Sequence, residues 1–177
     1  MPQLARPADA GELGQLEFEH LVRRHQGMVF SIAFHFLQDR SAAEEIAQDV
    51  FLQLHQNLHA LVSPEHVTFW LRRVAAHRCI DYTRRRKHSF LSLDAAPEPK
   101  AEEHTSDPLL SRRLRVLIAS LSPKARLVII LRYQEDLTPD EIADVTNIPV
   151  ATVKSQLQRS LAMLRQKMVR LIGDAGT

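Results

Sequence analysis

The stretch LTPDEIADVTNIPVATVKSQLQRSLAML, residues 137–164, decides the fold of the second half of this chain. Its residues 138–141 (TPDE) form a strong helix start, because the threonine and glutamate side chains can cap each other's backbone amides and proline fits the first helical position. This short helix is expected to end at Thr146-Asn147, since asparagine tolerates the left-handed backbone conformation that usually calls for glycine. Ile148-Pro149 then begins a longer helix. Two helices joined by one tight turn predict a helix-turn-helix.

The longer helix has two different sides. Apolar residues recur every three or four positions and are expected to be buried: Val150, Val153, Leu157, Leu161 and Leu164. The other side is expected to expose Thr152, Lys154, Ser155, Gln156, Gln158 and Arg159. No acidic residue occurs from Val150 to Gly173. Short polar and long basic side chains suit contacts with phosphates and base edges in a DNA major groove, although a merely solvated basic face remains the alternative.

Composition excludes several classes of protein. Apolar residues make up 45% of the 177-residue chain and charged residues 25%, which is ordinary for a globular protein. Only 5 glycines are present, so a Gly-rich phosphate loop and nucleotide hydrolysis are not expected. The single cysteine, Cys79, predicts a reducing compartment and a cytoplasmic location. The sequence shows neither a signal peptide nor a run of about 20 apolar residues that could span a membrane.

Helical periodicity also dominates the first half of the chain. One helix is expected from about Phe18 to Leu37, and a second begins after Asp39, with Ser41 as its N-cap and Glu44 at the capping-box position. The second helix aligns an apolar face made of Ala42, Ile46, Val50, Leu54 and Leu58. A third helix starts at Ser63-Pro64-Glu65 and runs towards His88.

The segment between the two helical halves has a different composition. Residues 89–107 contain two prolines and five acidic residues, which predicts a flexible acidic linker. Helical periodicity resumes at Pro108, and Ser122-Pro123 opens a further helix. We therefore predict an all-α fold of two small helical domains on a tether. The expected divisions are a flexible N-terminus (1–15), a first domain (16–88), the linker (89–107), a second domain (108–172) and a flexible C-terminus (173–177).

The third helix is strongly basic. Seven arginine or lysine residues fall between Arg72 and Lys87, against the single acid Asp81, and a strip of this kind binds nucleic acid largely by releasing counterions. Phe69 and Trp70 lie beside it, and bases stack on such aromatic rings for about 1 to 3 kcal/mol each. Two other interpretations stay open: Trp70 as a core residue, and the basic run as a solvated helix end.

Three motifs in this order resemble the extracytoplasmic-function (ECF) class of bacterial sigma factors, and the likeness covers about Phe18 to Met168. The segment AAEEIAQDVFL, residues 42–52, resembles the helix that binds the polymerase clamp. Residues 69–87 resemble the segment that opens and recognises the start-proximal (−10) promoter element. Residues 137–164 resemble the helix-turn-helix that recognises the upstream (−35) element, although Thr146-Asn147 and Gln156 depart from the residues that the family often has there.

The resemblance implies a role for each set of residues. The residues implied to face the polymerase clamp are Glu45, Gln48, Asp49, Leu52 and His55. The loop 58–64 is implied to hold a flipped base, and the residues implied to contact the start-proximal element are Leu61, Ser63, Phe69, Trp70, Arg73, His77, Arg84 and Arg85. The upstream duplex is implied to meet Thr152, Lys154, Ser155, Gln156, Gln158 and Arg159.

The implied protein is a sigma factor that directs transcription initiation and catalyses nothing itself. Its implied partners are core RNA polymerase, through the beta and beta-prime subunits, and promoter DNA. No metal, cofactor or small-molecule substrate is expected. The short N-terminal segment is expected to leave no room for a separate self-inhibiting domain, so restraint is expected to come from an anti-sigma partner.

Two rival functions can be tested against this one. A helix-turn-helix regulator that acts without polymerase is expected to bind its operator alone, so a gel shift with and without polymerase distinguishes the two. An enzyme or metal sensor would use the 9 histidines, but they are scattered, and His55 and His59 form a pair without a third ligand. Cys79 lies in an apolar stretch and is expected to be packed.

Overall fold

A computed structural model describes residues 7–61, 63–90 and 108–173 of the chain. Within those residues every regular element is a helix, which confirms the predicted all-α class. The first domain contains α1 (Pro7–Leu37), α2 (Arg40–Asn57), a short 3-10 turn (Leu58–Ala60) and α3 (Pro64–Phe90). The second domain contains α4 (Pro108–Ala119), α5 (Pro123–Tyr133), α6 (Pro139–Thr146) and α7 (Val150–Gly173).

Helix α1 is longer than its apolar pattern suggested. It ends at Leu37, as expected, but begins at Pro7 instead of Phe18, so residues 7–15 of the expected flexible N-terminus are helical. The end of the helix is marked by Gln38, which takes a left-handed conformation with φ of 57°. Its backbone amide donates to the carbonyl of Phe34 at 2.8 Å, and this bond closes the last turn.

The N-cap of α2 is Asp39, and the prediction of Ser41 was wrong. The Asp39 backbone is extended, and its carboxylate accepts the amide of Ala42 at 3.1 Å. Because Asp39 is the first extended residue after the left-handed Gln38, it is the first side chain that can cap the new helix. Ser41 therefore lies inside the first turn. The predicted apolar face is otherwise confirmed, with Ala42, Ile46, Val50 and Leu54 buried and Leu58 half-buried.

Helix α3 begins as predicted and ends later. Pro64 is its first residue, and the Ser63 hydroxyl accepts the amide of His66 at 3.1 Å. The helix continues to Phe90, so residues 89–90 of the predicted linker are helical. The remainder of that linker, residues 91–107, lies outside the described residues.

The helix-turn-helix has the predicted geometry. Thr138 accepts the amide of Glu141 at 3.3 Å, and the Glu141 carboxylate accepts the amide of Thr138 at 2.7 Å, which completes a capping box. These bonds to the carboxylate also hold the pKa of Glu141 below its usual value. Asn147 ends α6 in the left-handed conformation with φ of 54° and ψ of 43°. Both ends of α6 are therefore fixed by the residues that the sequence indicated.

The apolar stripe of α7 is less deeply buried than predicted. Val153 is fully buried, whereas the other four members are half-buried: Val150, Leu157, Leu161 and Leu164. Helix α7 packs on α4, α5 and α6, which cover it from one side only. An unexpected polar residue, Ser160, is buried on the same side with 3% exposure.

The two domains share one hydrophobic core. Its largest fully buried side chains are Phe36, Ile32, Leu54 and Leu71 in the first domain, and Leu131 and Ile142 in the second. These residues belong to a single continuous cluster, because α1 and α3 pack against α5, and α3 also packs against α6. The structure therefore brings the predicted domains into direct contact.

Substituting Thr138 by alanine is expected to lower the free energy of unfolding by about 1 kcal/mol, since an amide at the start of α6 loses its side-chain acceptor. Chemical denaturation of the full chain measures this change. Thr138→Ser is the matched control because it keeps the hydroxyl. Equal losses in both variants would show that the capping box contributes nothing at this position.

Candidate nucleic-acid interface

The five residues expected to face the polymerase lie together on one side of α2. All five are exposed, and they fall on the side opposite the buried face of the helix: Glu45, Gln48, Asp49, Leu52 and His55. We call this set the α2 face. Leu52 is 58% exposed although its neighbours on this face are polar. An apolar side chain inside a polar rim has the arrangement of a protein–protein contact, in which the centre is apolar and the rim is polar.

His55 anchors one edge of the α2 face. Its ring packs edge-on against Phe18 of α1, with 5.0 Å between the ring centroids and an interplanar angle of 82°. This contact fixes the orientation of an otherwise exposed side chain. The α2 face is therefore partly ordered before any partner binds.

A second set of residues follows one side of α3. Phe69, Arg73, His77 and Arg84 are separated by four, four and seven residues, which places them on one side of a helix with 3.6 residues per turn. Trp70 and Arg85 flank this row. We call these six residues the α3 face. Phe69, Trp70 and Arg73 are half-buried, whereas His77, Arg84 and Arg85 are exposed.

The aromatic residues of the α3 face serve the core as well. Both Phe69 and Trp70 pack against the hydrophobic cluster and still keep part of each ring in solvent. The two interpretations of Trp70 are therefore compatible, because a half-buried ring can support the fold and present an edge for stacking.

Carboxylates neutralise part of the basic strip on α3. Arg84 lies 3.6 Å from Asp81, and Arg86 lies 3.9 Å from Asp39 at the start of α2. Partial burial of the ring, with a smaller contribution from Arg73, lowers the pKa of His77, and the charge of Asp81 opposes this shift. The field of the strip is therefore weaker than its seven basic residues suggest.

The loop expected to hold a flipped base is described at all of its residues except one. Its residues 58–60 form the 3-10 turn, Leu61 is half-buried, and Val62 lies outside the described residues. The hydroxyl of Ser63 is already engaged as the cap of α3. Any contact of Ser63 with a base must compete with that hydrogen bond.

Three of the six residues expected to meet the upstream duplex are exposed on α7: Lys154, Gln158 and Arg159. The Nε of Arg159 donates to the carbonyl of Ser155 at 3.2 Å, which holds the base of the guanidinium against the helix. Its remaining donors can still point outward. A fixed guanidinium with free donors suits the paired acceptors of a guanine edge.

The other three residues of that set are only half-buried, in contrast to the prediction that they are exposed: Thr152, Ser155 and Gln156. Ser155 donates its hydroxyl to the carbonyl of Ala151 at 2.8 Å. Gln156 lies between the buried positions Val153 and Ser160, and its amide oxygen is buried without a hydrogen-bond partner. The helical period turns Gln156 inward, so it does not join the exposed side chains that are expected to meet DNA.

The described residues do not support a reactive cysteine or a histidine metal site. Cys79 is fully buried, and burial raises the pKa of its thiol to about 12, as expected for a packed cysteine. In the described part of the chain, no three histidine, cysteine or acidic side chains lie close enough together to hold a metal ion.

Two residues that join the domains, Glu135 and Arg126, were missed from the sequence because their partners are distant along the chain. Glu135 pairs with Arg72 across the domains at 3.4 Å. Arg126 of α5 donates to the carbonyl of Phe36 of α1 at 2.9 Å, although 90 residues separate the two. The only local signal was the position of Arg126 directly before the apolar run LVIIL, residues 127–131. That position predicts a buried arginine only when the group that pairs with it is known.

Taken together, a helix-turn-helix with an exposed basic side and a second basic, aromatic helix define a DNA-binding protein with two contact surfaces. Family comparisons agree with this class. Residues 21–89 match the family "Sigma-70 region 2", and residues 111–164 match the family "Sigma-70, region 4". The chain belongs to the sigma-70 family, in its ECF class.

Curated relatives align along most of the chain. The ECF RNA polymerase sigma factor SigW of Bacillus subtilis is 28% identical over 166 residues, which cover 85% of this chain and 88% of the relative. The RNA polymerase sigma-E factor of Streptomyces coelicolor is 28% identical over 160 residues, which cover 90% of each chain. The likeness therefore extends across both helical domains.

Solved structures share the fold. The sigma factor RpoE of Bartonella quintana, solved in complex with the anti-sigma factor NepR, superimposes with a TM-score of 0.72 at 16% identity, over 85% of this chain and 95% of that one. CnrH, solved with the cytosolic domain of CnrY, gives a TM-score of 0.67 at 22% identity, over 92% and 94%. Among the described helices of the present chain, none is both long and apolar enough to cross a membrane.

Proposed function

We propose that this protein is a sigma factor that binds core RNA polymerase and directs promoter-specific transcription initiation. One observation carries the proposal: the chain matches both sigma-70 regions in order, and each matched region carries an exposed face suited to its role. The α2 face has the composition of a protein contact. The α3 face and the start of α7 have the composition of nucleic-acid contacts.

Polymerase binding is assigned to the α2 face. Its acidic residues Glu45 and Asp49 precede the apolar Leu52 on the same side of the helix, which fits a partner surface with basic residues beside an apolar pocket. We assign that surface to the clamp of core polymerase, formed by the beta and beta-prime subunits.

DNA binding is divided between the two domains. The second domain docks α7 in the major groove of the upstream element, where Lys154, Gln158 and Arg159 meet phosphates and base edges. The first domain captures unstacked bases of the start-proximal element on the α3 face, with Phe69 and Trp70 as stacking surfaces. Captured bases offset the cost of unpairing, a few kcal/mol per base.

This mechanism needs no catalytic group in the chain, and we propose that the protein is not an enzyme. We place it in the cytoplasm, where bacterial polymerase and promoter DNA reside. Because both structural neighbours were solved with inhibitory or cytosolic partners, we further propose that an anti-sigma factor controls this chain.

Run-off transcription with core polymerase on genomic fragments tests the proposal. We expect discrete transcripts that appear only when both the chain and the polymerase are present. A gel shift on the same promoter, with and without polymerase, distinguishes a sigma factor from a helix-turn-helix regulator that acts independently of polymerase. Binding of isolated promoter DNA at full affinity without polymerase, together with no run-off product, would favour that alternative.

A further inference from the structure

A cavity of about 350 Å³ lies where α1, α3 and α6 meet. Its wall comes from Arg24 of α1, from residues 64–72 of α3 and from residues 137–145 in and beside α6. The apolar part of this wall consists of four residues: Pro64, Phe69, Leu137 and Val145. Ligand sites usually measure about 300 to 1,000 Å³ and combine a mainly apolar wall with a few polar groups. The cavity is therefore large enough for a small organic molecule.

Two arginines of the cavity wall keep hydrogen-bond donors for a further group. Arg24 is exposed and forms no hydrogen bond or ion pair with any described residue. Arg72 has a single ion-pair partner among the described residues, Glu135, whose carboxylate lies 3.4 Å from the Nε. That Nε is buried without a hydrogen-bond partner. Because a guanidinium carries several N–H donors, both arginines can bind another acceptor.

The two arginines act on the same small region of the molecule. His25 follows Arg24 on α1 and is only 6% exposed. Burial lowers the pKa of its imidazole, and the positive charges of Arg24 and Arg72 lower it further. The positive charges that disfavour a protonated ring at this place favour an anion there.

The two carboxylates of the cavity wall are engaged by helix ends. Hydrogen bonds from its own backbone amide and from the Ser63 hydroxyl lower the pKa of Glu65 at the start of α3. Glu141 belongs to the capping box that it forms with Thr138 at the start of α6. Within the described residues, neither carboxylate forms an ion pair with an arginine of the cavity. The glutamates therefore stabilise two helix starts and leave the arginine donors unused.

A carboxylate or a phosphate monoester has the chemistry that this wall accepts. Both groups take paired, charge-assisted hydrogen bonds from guanidinium groups. The half-buried ring of Phe69, with Val145 in the same wall, suits a short aromatic or aliphatic body attached to the anionic group. The volume of the cavity excludes a polymer and limits the ligand to a small molecule.

We propose that this cavity binds a small organic anion, with Arg24 and Arg72 holding its carboxylate or phosphate group and Phe69 packing against its apolar body. The site goes beyond the proposed function, because neither polymerase binding nor promoter recognition requires a small ligand. Binding is a property of the free chain, so it can be measured without polymerase or DNA.

Nuclear magnetic resonance of the isotope-labelled full chain tests the site directly. The chain is titrated with phenyl phosphate and, separately, with benzoate. The amide signals of the cavity wall, residues 64–72 and 137–145, are expected to shift and to saturate with at least one of the two anions. Benzyl alcohol carries a similar ring without the charge and is expected to bind at least about tenfold more weakly. The tighter anion identifies the group, phosphate or carboxylate, that the arginines prefer.

Arg24→Gln is expected to weaken binding of the tighter anion by at least about tenfold, because it removes a charged donor from the cavity wall. Arg23→Gln is the matched control. Arg23 is the preceding exposed arginine, but it pairs with Glu19 at 3.6 Å and lies outside the cavity wall. The control is expected to bind the anion as wild type does, and neither exposed arginine is needed for the hydrophobic core.

Glu65→Gln provides a test of the opposite sign. It is expected to bind the anion severalfold more tightly, because a like charge leaves the cavity wall while Ser63 still caps α3. Weaker binding in Glu65→Gln, wild-type binding in Arg24→Gln, equal binding of benzyl alcohol, or no saturable shift with either anion overturns the proposal. Failure of the proposed function has a different signature, because it appears as the absence of run-off transcripts and leaves anion binding unchanged.

Discussion

Leu52→Asp is expected to reduce the affinity of the chain for core polymerase by at least about a hundredfold. Leu52 is exposed at the centre of the α2 face, so the change leaves the folded chain intact. In the complex, however, a carboxylate replaces an apolar side chain at a site shielded from water, and burying an unpaired charge costs several kcal/mol. Fluorescence anisotropy of labelled chain titrated with core polymerase gives the affinity.

Two variants control this experiment. Leu52→Met keeps an apolar side chain and is expected to bind within a few fold of wild type. Asp49→Ala is expected to weaken polymerase binding to a smaller extent and to leave recognition of upstream DNA unchanged. If Leu52→Asp binds polymerase as wild type does, the α2 face is not the polymerase contact.

Arg159→Ala is expected to lower transcription from a promoter that depends on its upstream element by about tenfold, with polymerase binding unchanged. The guanidinium is exposed and held by the Ser155 carbonyl, a geometry suited to a base edge. Loss of one such base contact reduces discrimination between sequences. Run-off transcription on promoters with an intact or an altered upstream element measures the effect. The loss of transcription caused by Arg159→Ala should be smaller on the altered element.

Lys154→Ala should behave differently from Arg159→Ala. A lysine near the start of α7 is expected to contact phosphate, so its loss weakens all sequences alike and reduces the salt dependence of binding by about one counterion. Arg165→Ala, which removes an exposed arginine further along the same helix, is the control. Equal losses for all three variants on every sequence would indicate a general charge effect without base recognition.

Local signals in the sequence predicted the local structure well. The capping box at Thr138 and the left-handed Asn147 depend on side chains within a few residues, so their roles could be inferred without knowing the fold. The predicted N-cap of α2 was wrong because Asp39 and Ser41 are both suitable capping residues. The choice between them depends on the left-handed Gln38, which no local pattern indicated.

Contacts between distant residues could not be predicted in the same way. The Arg72–Glu135 pair and the Arg126 hydrogen bond to Phe36 join separate domains, and periodicity carries no information about which helices meet. Gln156 shows that exposure cannot always be predicted from the polarity of a side chain. Its polar side chain suggested exposure, but its position between Val153 and Ser160 turns it towards the interior.

The burial of Cys79 gives this molecule a built-in reporter of unfolding. Burial raises the pKa of this thiol to about 12, so almost none of it is ionised at neutral pH, and the packed helices around it exclude reagents. Modification by a thiol reagent therefore requires α3 to separate from its neighbours. The rate of that reaction measures how often the interior of the first domain opens, without any added label.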